Sequence, residues 1–375
     1  MKGDPGINIL IIILFILIGL FLFLFLFNIA KKLYMQYKAG KTAENMESIK
    51  PRIELLLDMP EAEFTKELEK FAADARKNTR GYRNVVEDYI MDTLEQPDGI
   101  KKERLIAAAR RLNFSSGCIP DIRNRNPKIS AMGSRRAGLY NLTEAIEDML
   151  NCLDVISSQN QFEILVAFAR IGKADPMLRA FEKIKNSVVI NERAVMEILA
   201  LFPNGDEKRK LFRTVVSGDC DYLTTLFLRA VDRQMAELLV YDMVQILFTG
   251  SKEVRTAAVK GLATFGAAAP ESVLLLAMED TEWEVRAMAA KALEFITIPE
   301  AGEALYKALF DRQWWVRQNA ANALVKHPGY GEYFKRAVES GDKYSLDSII
   351  ATLEKGYNPD LLDYFKNYKK KETQC

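Results

Sequence analysis

The sequence predicts an all-α protein: a right-handed α-solenoid of about eight helical hairpins, preceded by a single transmembrane helix. Residues 5–30 carry no charged side chain. Residues 254–324 carry one motif three times at a constant spacing of 31 residues, with its arginine at positions 255, 286 and 317. Strand-like alternation of polar and apolar residues is not found over any length of the sequence.

The apolar run from Ile7 to Ala30 predicts a membrane-spanning helix. The uncharged stretch fills the whole interval between Asp4 and Lys31. A helix of that length spans about 39 Å, which exceeds the hydrocarbon core of about 30 Å. A secretory signal has a shorter apolar stretch and a cleavage site of small residues, which this run lacks. We therefore expect a retained anchor rather than a cleaved signal.

The charges beside this run predict its orientation. Lys31, Lys32, Lys38 and Lys41 follow it, whereas only Lys2 precedes it. The positive-inside rule then places the C-terminal domain in the cytoplasm, anchored by one pass in the bacterial inner (plasma) membrane. The predicted segments are a short non-cytoplasmic tail at 1–6, the transmembrane helix at 7–30, and a juxtamembrane basic segment and linker at 31–60. An outward-facing scaffold of an envelope complex is the alternative that these lysines oppose.

Composition argues against several classes of function. The 52 Lys and Arg residues nearly balance the 51 Asp and Glu residues, so we expect no nucleic-acid partner. Cys118, Cys152, Cys220 and Cys375 lie far apart, which fits neither a zinc site nor a disulfide-rich scaffold. His327 is the single histidine of the chain. We predict no metal, no cofactor, no small-molecule substrate and no catalytic site, and hence a protein that is not an enzyme.

The repeated motif is a Val-Arg pair, with Ala at the third position after the Arg and Leu at the seventh. The three arginines are Arg255, Arg286 and Arg317. Offsets of three and seven lie on one helical face. A break and a second apolar helix follow each copy, at 272–278, 304–310 and 333–338. Asp280 and Asp311, each six positions before an arginine, are expected to cap the next first helix.

A regularly repeated two-helix unit of this size is typical of an α-solenoid. The motif with its preceding Asp resembles the HEAT family, in the short form found in phycobilisome-lyase-like repeats. The resemblance implies that Arg255, Arg286 and Arg317 are structural, bonding to a carboxylate or to loop carbonyl groups of the neighbouring unit.

Weaker copies extend the predicted solenoid over residues 134–370. The arginine position aligns with Arg135, Phe162, Glu192, Thr224 and Leu346, at nearly regular intervals. Residues 61–133 are expected to form a helical N-terminal cap, with one or two amphipathic helices at 61–95 and a loop rich in Gly, Pro and Asn at 113–133. A tail at 371–375 ends the chain.

All three tryptophans lie within the strong repeats, and they are the candidate partner-binding side chains. Trp283 and Trp314 share one repeat position, and Trp315 adjoins them. Arg312, Gln313 and Asn319 flank them, and clustered Trp and Arg are typical of interaction hot spots. The alternative is that the three rings fill gaps between repeats.

The Trp-Trp-Val-Arg-x-Asn-Ala-Ala core at 314–321 resembles bacterial membrane-anchored HEAT proteins that accompany a family-2 glycosyltransferase. That resemblance implies an accessory scaffold for polysaccharide or glycoconjugate synthesis, with protein partners in the membrane. The competing function is a HEAT-fold enzyme, either a chromophore lyase or a DNA glycosylase. Near-zero net charge and a membrane anchor argue against the glycosylase, and the anchor also argues against the lyase.

Overall fold

The structure, a computed structural model, describes residues 5–95, 99–154, 158–184 and 190–372. The chain divides into two compact units, Met1–Ala145 (unit 1) and Ile146–Cys375 (unit 2). Every regular element within the described ranges is a helix, and unit 2 is an all-α solenoid. Lys2, Asp4 and Cys375, which entered the sequence predictions, lie outside the described residues.

Unit 1 begins with one long helix, α1 (Pro5–Asp58), which contains the predicted transmembrane segment. From Leu17 onwards α1 is long and apolar enough to be a candidate membrane span, with a mean hydropathy of 1.8 in its most apolar window. Every side chain from Leu17 to Glu44 is exposed. Two pairs of rings stack along this part of the helix, Phe21 on Phe25 and Phe23 on Phe27, each with centroids 6.4 Å apart.

Residues 31–60 differ from the predicted linker, because α1 continues through them to Asp58. Ile49, Ile53, Leu56 and Leu57 recur at helical spacing and are all buried. Packing of this apolar face keeps the segment helical. It offsets the destabilising effect of Pro51, which removes one backbone hydrogen bond from the helix interior.

Five further helices complete unit 1. They are α2 (Glu61–Lys77), α3 (Arg80–Leu94), α4 (Gly99–Arg111), α5 (Cys118–Ile122) and α6 (Pro127–Leu139). Of these, α2, α3 and α4 pack on α1, α6 packs on α3, and α5 packs on α6. The predicted amphipathic region 61–95 is thus two helices. Thr79 separates them and caps α3 by accepting a hydrogen bond from the backbone N–H of Tyr82.

The segment predicted as a loop at 113–133 is largely helical. Asn126 caps α6, and Pro127 occupies its first turn, where the missing N–H has no intrahelical acceptor. Gly133 lies inside α6, where a Cβ atom would lie 2.8 Å from the backbone nitrogen of Ile122. The residues that suggested a loop therefore begin a helix and allow α5 and α6 to approach closely.

A half-buried polar cluster joins α3, α5 and α6. Arg136 donates to Glu87 at 3.1 Å and forms an ion pair with Asp121. The hydroxyl group of Tyr140 donates to the same oxygen of Glu87, also at 3.1 Å. Burial, with Glu87 next in effect, raises the pKa of Tyr140, so this phenol stays protonated and keeps donating.

Unit 2 opens with α7 (Ile146–Cys152), and helical hairpins follow it. In each hairpin the first helix packs on the first helix of the next hairpin. The pairs are α8 (Ser158–Ile171) and α9 (Ala174–Ile184), α10 (Glu192–Leu201) and α11 (Asp206–Val216), α12 (Asp221–Arg229) and α13 (Arg233–Thr249), α14 (Lys252–Ala263) and α15 (Glu271–Ala277), α16 (Trp283–Ala292) and α17 (Pro299–Ala308), α18 (Trp314–Leu324) and α19 (Tyr330–Glu339), and α20 (Lys343–Leu353) and α21 (Pro359–Glu372).

The regular spacing of the motif places the repeat positions on the first helices. The three strong copies lie on α14, α16 and α18, and their alanines Ala258, Ala289 and Ala320 are fully buried where these helices stack. Four weak copies also fall on first helices, namely α8, α10, α12 and α20, and the copy at Arg135 falls on α6 of unit 1.

The weak copy on α12 shows how a repeat can lose the motif and keep the fold. The position of the small alanine is Phe227, which is fully buried. Its ring makes edge-to-face contacts with Phe181 of α9 at 5.6 Å and with Phe212 of α11 at 5.2 Å. A large ring that packs on second helices thus occupies the Ala position, while α12 still packs closely on the next first helix, α14.

His327 has a structural position. It lies in the turn after α18, where its Nε2 is 2.9 Å from the carbonyl oxygen of Ile298, the residue before α17. The histidine therefore ties two turns of neighbouring hairpins together.

Candidate partner-binding surface

The repeated arginines connect successive hairpins through bidentate ion pairs. Arg255 donates Nε and Nη2 to the two carboxylate oxygens of Asp280, each at 2.8 Å. Arg286 makes the same pair with Asp311 at 2.8 and 3.1 Å. Arg286 also donates to the backbone carbonyl oxygen of Asp280 at 2.8 Å. Each of these two arginines thus binds a carboxylate of the next hairpin, in the way that the family resemblance implies.

The two carboxylates do not cap the next helix in the predicted way. Asp280 lies two positions before the N-cap residue Glu282 and accepts the backbone N–H of that residue at 2.8 Å. Asp311 does the same for Gln313. They fix the turn that leads into each first helix, whereas an N-cap side chain would accept from an N–H of the helix's own first turn.

The ion pairs are largely shielded from water. The side chains of Arg255 and Asp280 are 17% and 12% exposed. Burial by itself would raise the pKa of Asp280, but the hydrogen bonds from Arg255 and from the Glu282 N–H outweigh burial and lower it. The hydrogen bond to Asp280 in turn raises the pKa of Arg255. Both groups are therefore held in their charged forms.

Arg317 departs from the pattern. Asp342 follows it at the same sequence separation, but Asp342 is itself the N-cap of α20 and accepts from the backbone N–H of Ser345 at 2.7 Å. The guanidinium of Arg317 instead lies over the ring of Tyr344, 5.2 Å from its centroid, and donates to the carbonyl oxygen of Asp311. The turn before α20 is two residues shorter than the turns before α16 and α18. Asp342 therefore stands directly before α20 and caps it, instead of bridging to Arg317.

Trp314 and Trp315 begin α18 and present their rings to solvent. They are 49% and 56% exposed, and the rings meet edge to face with centroids 4.6 Å apart. Trp283 begins α16 at the equivalent position but is half-buried. The exposed pair therefore comes from α18 alone.

Tyr344 extends this surface, and sequence reasoning missed it. It is the second residue of α20, as Trp315 is of α18, and it is 53% exposed. The alignment that places Leu346 at the arginine position puts Tyr344 two positions earlier, where Trp315 stands before Arg317. This repeat register is the signal that could have identified Tyr344. It was hard to recognise, because Leu346 comes two positions earlier than the regular spacing of the arginines predicts. We call Trp314, Trp315 and Tyr344 the aromatic edge.

The flanking candidates separate into two groups. Arg312 and Gln313 are exposed in the turn before the aromatic edge. Asn319 is half-buried, and its amide donates to the carbonyl oxygen of Ala287 at 2.8 Å. We therefore assign Asn319 to the contact between α16 and α18 rather than to a partner surface.

Comparison with protein families agrees with the repeat geometry. Residues 242–325 match the family model described as HEAT repeats. This range contains α14, α16 and α18, with both bidentate arginines and the exposed tryptophan pair. No curated protein matches the chain.

Several solved structures resemble the chain at low identity. An engineered protein covers 86% of this chain and 98% of its own, at 16% identity and a TM-score of 0.32. Human deoxyhypusine hydroxylase in complex with glycerol covers 80% and 98%, at 14% identity and a TM-score of 0.28. The complex of CpcE and CpcF of phycocyanin lyase from Nostoc sp. PCC7120 covers 68% and 94%, at 14% identity and a TM-score of 0.25.

TM-scores this low support no conclusion about function. The family match and the stacked hairpins agree on one point. Trp314 and Trp315 lie within the segment that matches HEAT repeats, Tyr344 lies beyond its end, and all three belong to the all-α solenoid.

Proposed function

We propose that the chain is a membrane-anchored scaffold whose unit 2 binds protein partners through the aromatic edge. The observation that carries this proposal is the pair Trp314 and Trp315, each about half exposed at the start of one helix. Large exposed aromatic side chains grouped together mark interaction sites, and Trp, Tyr and Arg are the residues most often found at binding hot spots.

The packing beneath the aromatic edge favours binding. Val316 and Arg317, which follow the two tryptophans on α18, are buried. Asp311, just before them, is held by two hydrogen bonds from Arg286. A platform that is already ordered loses little conformational freedom when a partner binds, so more of the contact energy appears as affinity.

The proposed location and partner class follow from α1 and from the resemblance at 314–321. An anchor in the inner membrane raises the effective concentration of a cytoplasmic unit 2 toward other membrane proteins. The partner that we propose is a membrane glycosyltransferase, with the chain as its non-enzymatic accessory subunit. The polar clusters described above are engaged in ion pairs and turns, so the proposal includes no catalytic step.

The test is copurification of the full chain after extraction in mild detergent. The wild type is compared with a Trp314→Ala/Trp315→Ala variant. The matched control is Tyr241→Ala/Phe248→Ala, which removes two other exposed aromatic side chains, on α13. We expect a multi-pass glycosyltransferase to accompany the wild type and the control and to be lost from the tryptophan variant.

Two outcomes would contradict the proposal. Recovery of the wild-type chain alone at every expression level would argue against a scaffold. Equal loss of the partner in both variants would remove the aromatic edge as its binding surface. Orientation is tested separately, because protease should cleave unit 2 in inverted membrane vesicles and leave it intact in whole cells.

A further inference from the structure

One face of α1 forms a wall of a groove in unit 1. Tyr34, Tyr37, Lys38, Lys41 and Asn45 recur at helical spacing on that face. The N-terminal half of α3 forms the opposite wall. The groove has a volume of about 340 Å³, which is within the size range of small-ligand sites.

The charge of the α1 wall is strongly positive. The sequence from residue 5 to residue 43 contains no acidic side chain and four lysines, at 31, 32, 38 and 41. Lys31 lies seven positions before Lys38, which places both on the same side of the helix. An anion that enters the groove would therefore meet the ammonium groups of Lys38 and Lys41, with Lys31 farther along the same side of the helix.

Continuity of α1 sets the depth of the groove relative to a bilayer. The apolar run ends at Ala30, so Tyr34 lies about 6 Å and Lys41 about 16 Å farther along the helix axis. The headgroup layer is about 5–8 Å thick on each side of the hydrocarbon core. Tyr34 thus lies at headgroup level, where Tyr is enriched. Lys38 lies about 12 Å beyond Ala30, which is about 4 Å outside the headgroup layer, and its flexible side chain can reach back to that layer.

We propose that this groove binds the anionic headgroup of a phospholipid in the adjacent leaflet. The site rests on the membrane anchor of the proposed function but needs no protein partner. A lipid fits better than a partner helix for two reasons: the α1 wall offers ammonium and hydroxyl donors, and the anchor holds that wall beside a layer of phosphate groups.

Asp88 on the α3 wall opposes an anion. Burial, followed by the neighbouring Asp92, raises the pKa of Asp88, while Lys38 acts in the opposite direction. Replacing Asp88 by Asn removes this negative charge without changing the shape of the side chain, so it should strengthen binding of an anionic headgroup.

The test is native mass spectrometry of the full chain in detergent micelles, titrated with phosphatidylglycerol or with phosphatidylcholine. We expect the wild type to bind phosphatidylglycerol preferentially. A lysine beside anionic lipid contributes about fivefold to binding, so Lys38→Gln/Lys41→Gln should weaken binding about 25-fold. Asp88→Asn should strengthen binding.

The matched control is Lys32→Gln/Lys66→Gln, which removes the same charge from the far side of α1 and from an exposed position on α2. It should keep the preference. The proposal is overturned if the wild type binds both lipids equally, if the control loses as much as the groove variant, or if inorganic phosphate displaces the lipid as a free anion. Those results leave partner capture by the aromatic edge unaffected, so this site and the proposed function can fail separately.

Discussion

The pair between Arg286 and Asp311 should contribute a measurable coupling free energy to the stacking of α16 and α18. The perturbation is a double-mutant cycle of Arg286→Ala, Asp311→Ala and the double variant. Exposed ion pairs contribute about 0–1 kcal/mol, whereas breaking a buried pair costs about 3–5 kcal/mol. The two side chains are 19% and 13% exposed. We therefore expect a coupling of about 2 kcal/mol, between these limits.

The single substitution Asp311→Ala should cost more than the coupling alone. Asp311 also accepts the backbone N–H of Gln313 at 2.8 Å, and one such hydrogen bond to a charged group contributes about 1.5–3 kcal/mol. We expect a total loss of about 3.5–5 kcal/mol, part of which is recovered when Arg286 is also removed.

The assay is urea unfolding of the full chain in mild detergent at neutral pH, followed by intrinsic fluorescence. Trp283 on α16 and Trp314 and Trp315 on α18 are the tryptophans of the chain. Their emission therefore reports the opening of the two helices that the ion pair joins.

Arg317 and Asp342 provide the matched control cycle. They have the same sequence separation as Arg286 and Asp311, but Asp342 caps α20 and the structure describes no bond between the two side chains. Their coupling should be about zero. Equal coupling in both cycles would refute the reasoning, and so would a coupling below about 0.5 kcal/mol for Arg286 and Asp311.

Three further predictions concern other parts of the chain. The folded-state pKa of Asp280 is lowered, so its stabilising effect is present above about pH 4 and is lost as the pH falls through the folded pKa. The difference in unfolding free energy between the wild type and Asp280→Asn should thus be full at pH 7 and shrink at pH 3, and a constant difference would contradict the assignment. Gly133→Ala should lower stability by about 1–3 kcal/mol through the clash with α5. Gly331→Ala, whose new Cβ meets only Leu361 at 3.8 Å, should leave the melting temperature unchanged or raised; equal melting temperatures for the two variants would be inconsistent with the packing. Burial raises the pKa of Cys118 to about 11, so a thiol reagent at pH 7.5 should label the exposed Cys220 and spare Cys118 until urea is added. Rapid labelling of Cys118 in the native protein would show that α5 opens.

The solenoid was predictable because its packing is local. A first helix contacts the first helix of the next repeat along the chain, so a periodic Val, Arg, Ala and Leu pattern reports the stack directly. The same register located α12 and α20, although Thr224 and Leu346 do not match the motif. The Phe227 packing was not predictable, because it depends on rings that approach from two second helices at unrelated sequence offsets.

Unit 1 was less predictable because its contacts do not repeat. Whether 31–60 forms a linker or a helix is decided by what covers Ile49, Ile53 and Leu57. The helices that pack on α1 are α2, α3 and α4, and no repeat in the sequence marks those contacts. Gly133 is typical of a loop in sequence but serves a close approach of α5 to α6. The aromatic edge was identified in part: Trp314 and Trp315 stood out by composition, whereas Tyr344 required knowing that a turn is shorter by two positions.

The unbroken course of α1 has a mechanical consequence. Because α1 is one continuous helix, the direction in which its apolar part faces is fixed relative to the buried end that carries Ile53. The ring pair of Phe21 and Phe25 faces one fixed direction, and the pair of Phe23 and Phe27 faces another. A helix that docks against these rings in the bilayer would therefore have one fixed orientation relative to unit 1. One residue inserted between the rings and Ile53 would rotate both ring pairs by about 100° about the helix axis and change that orientation.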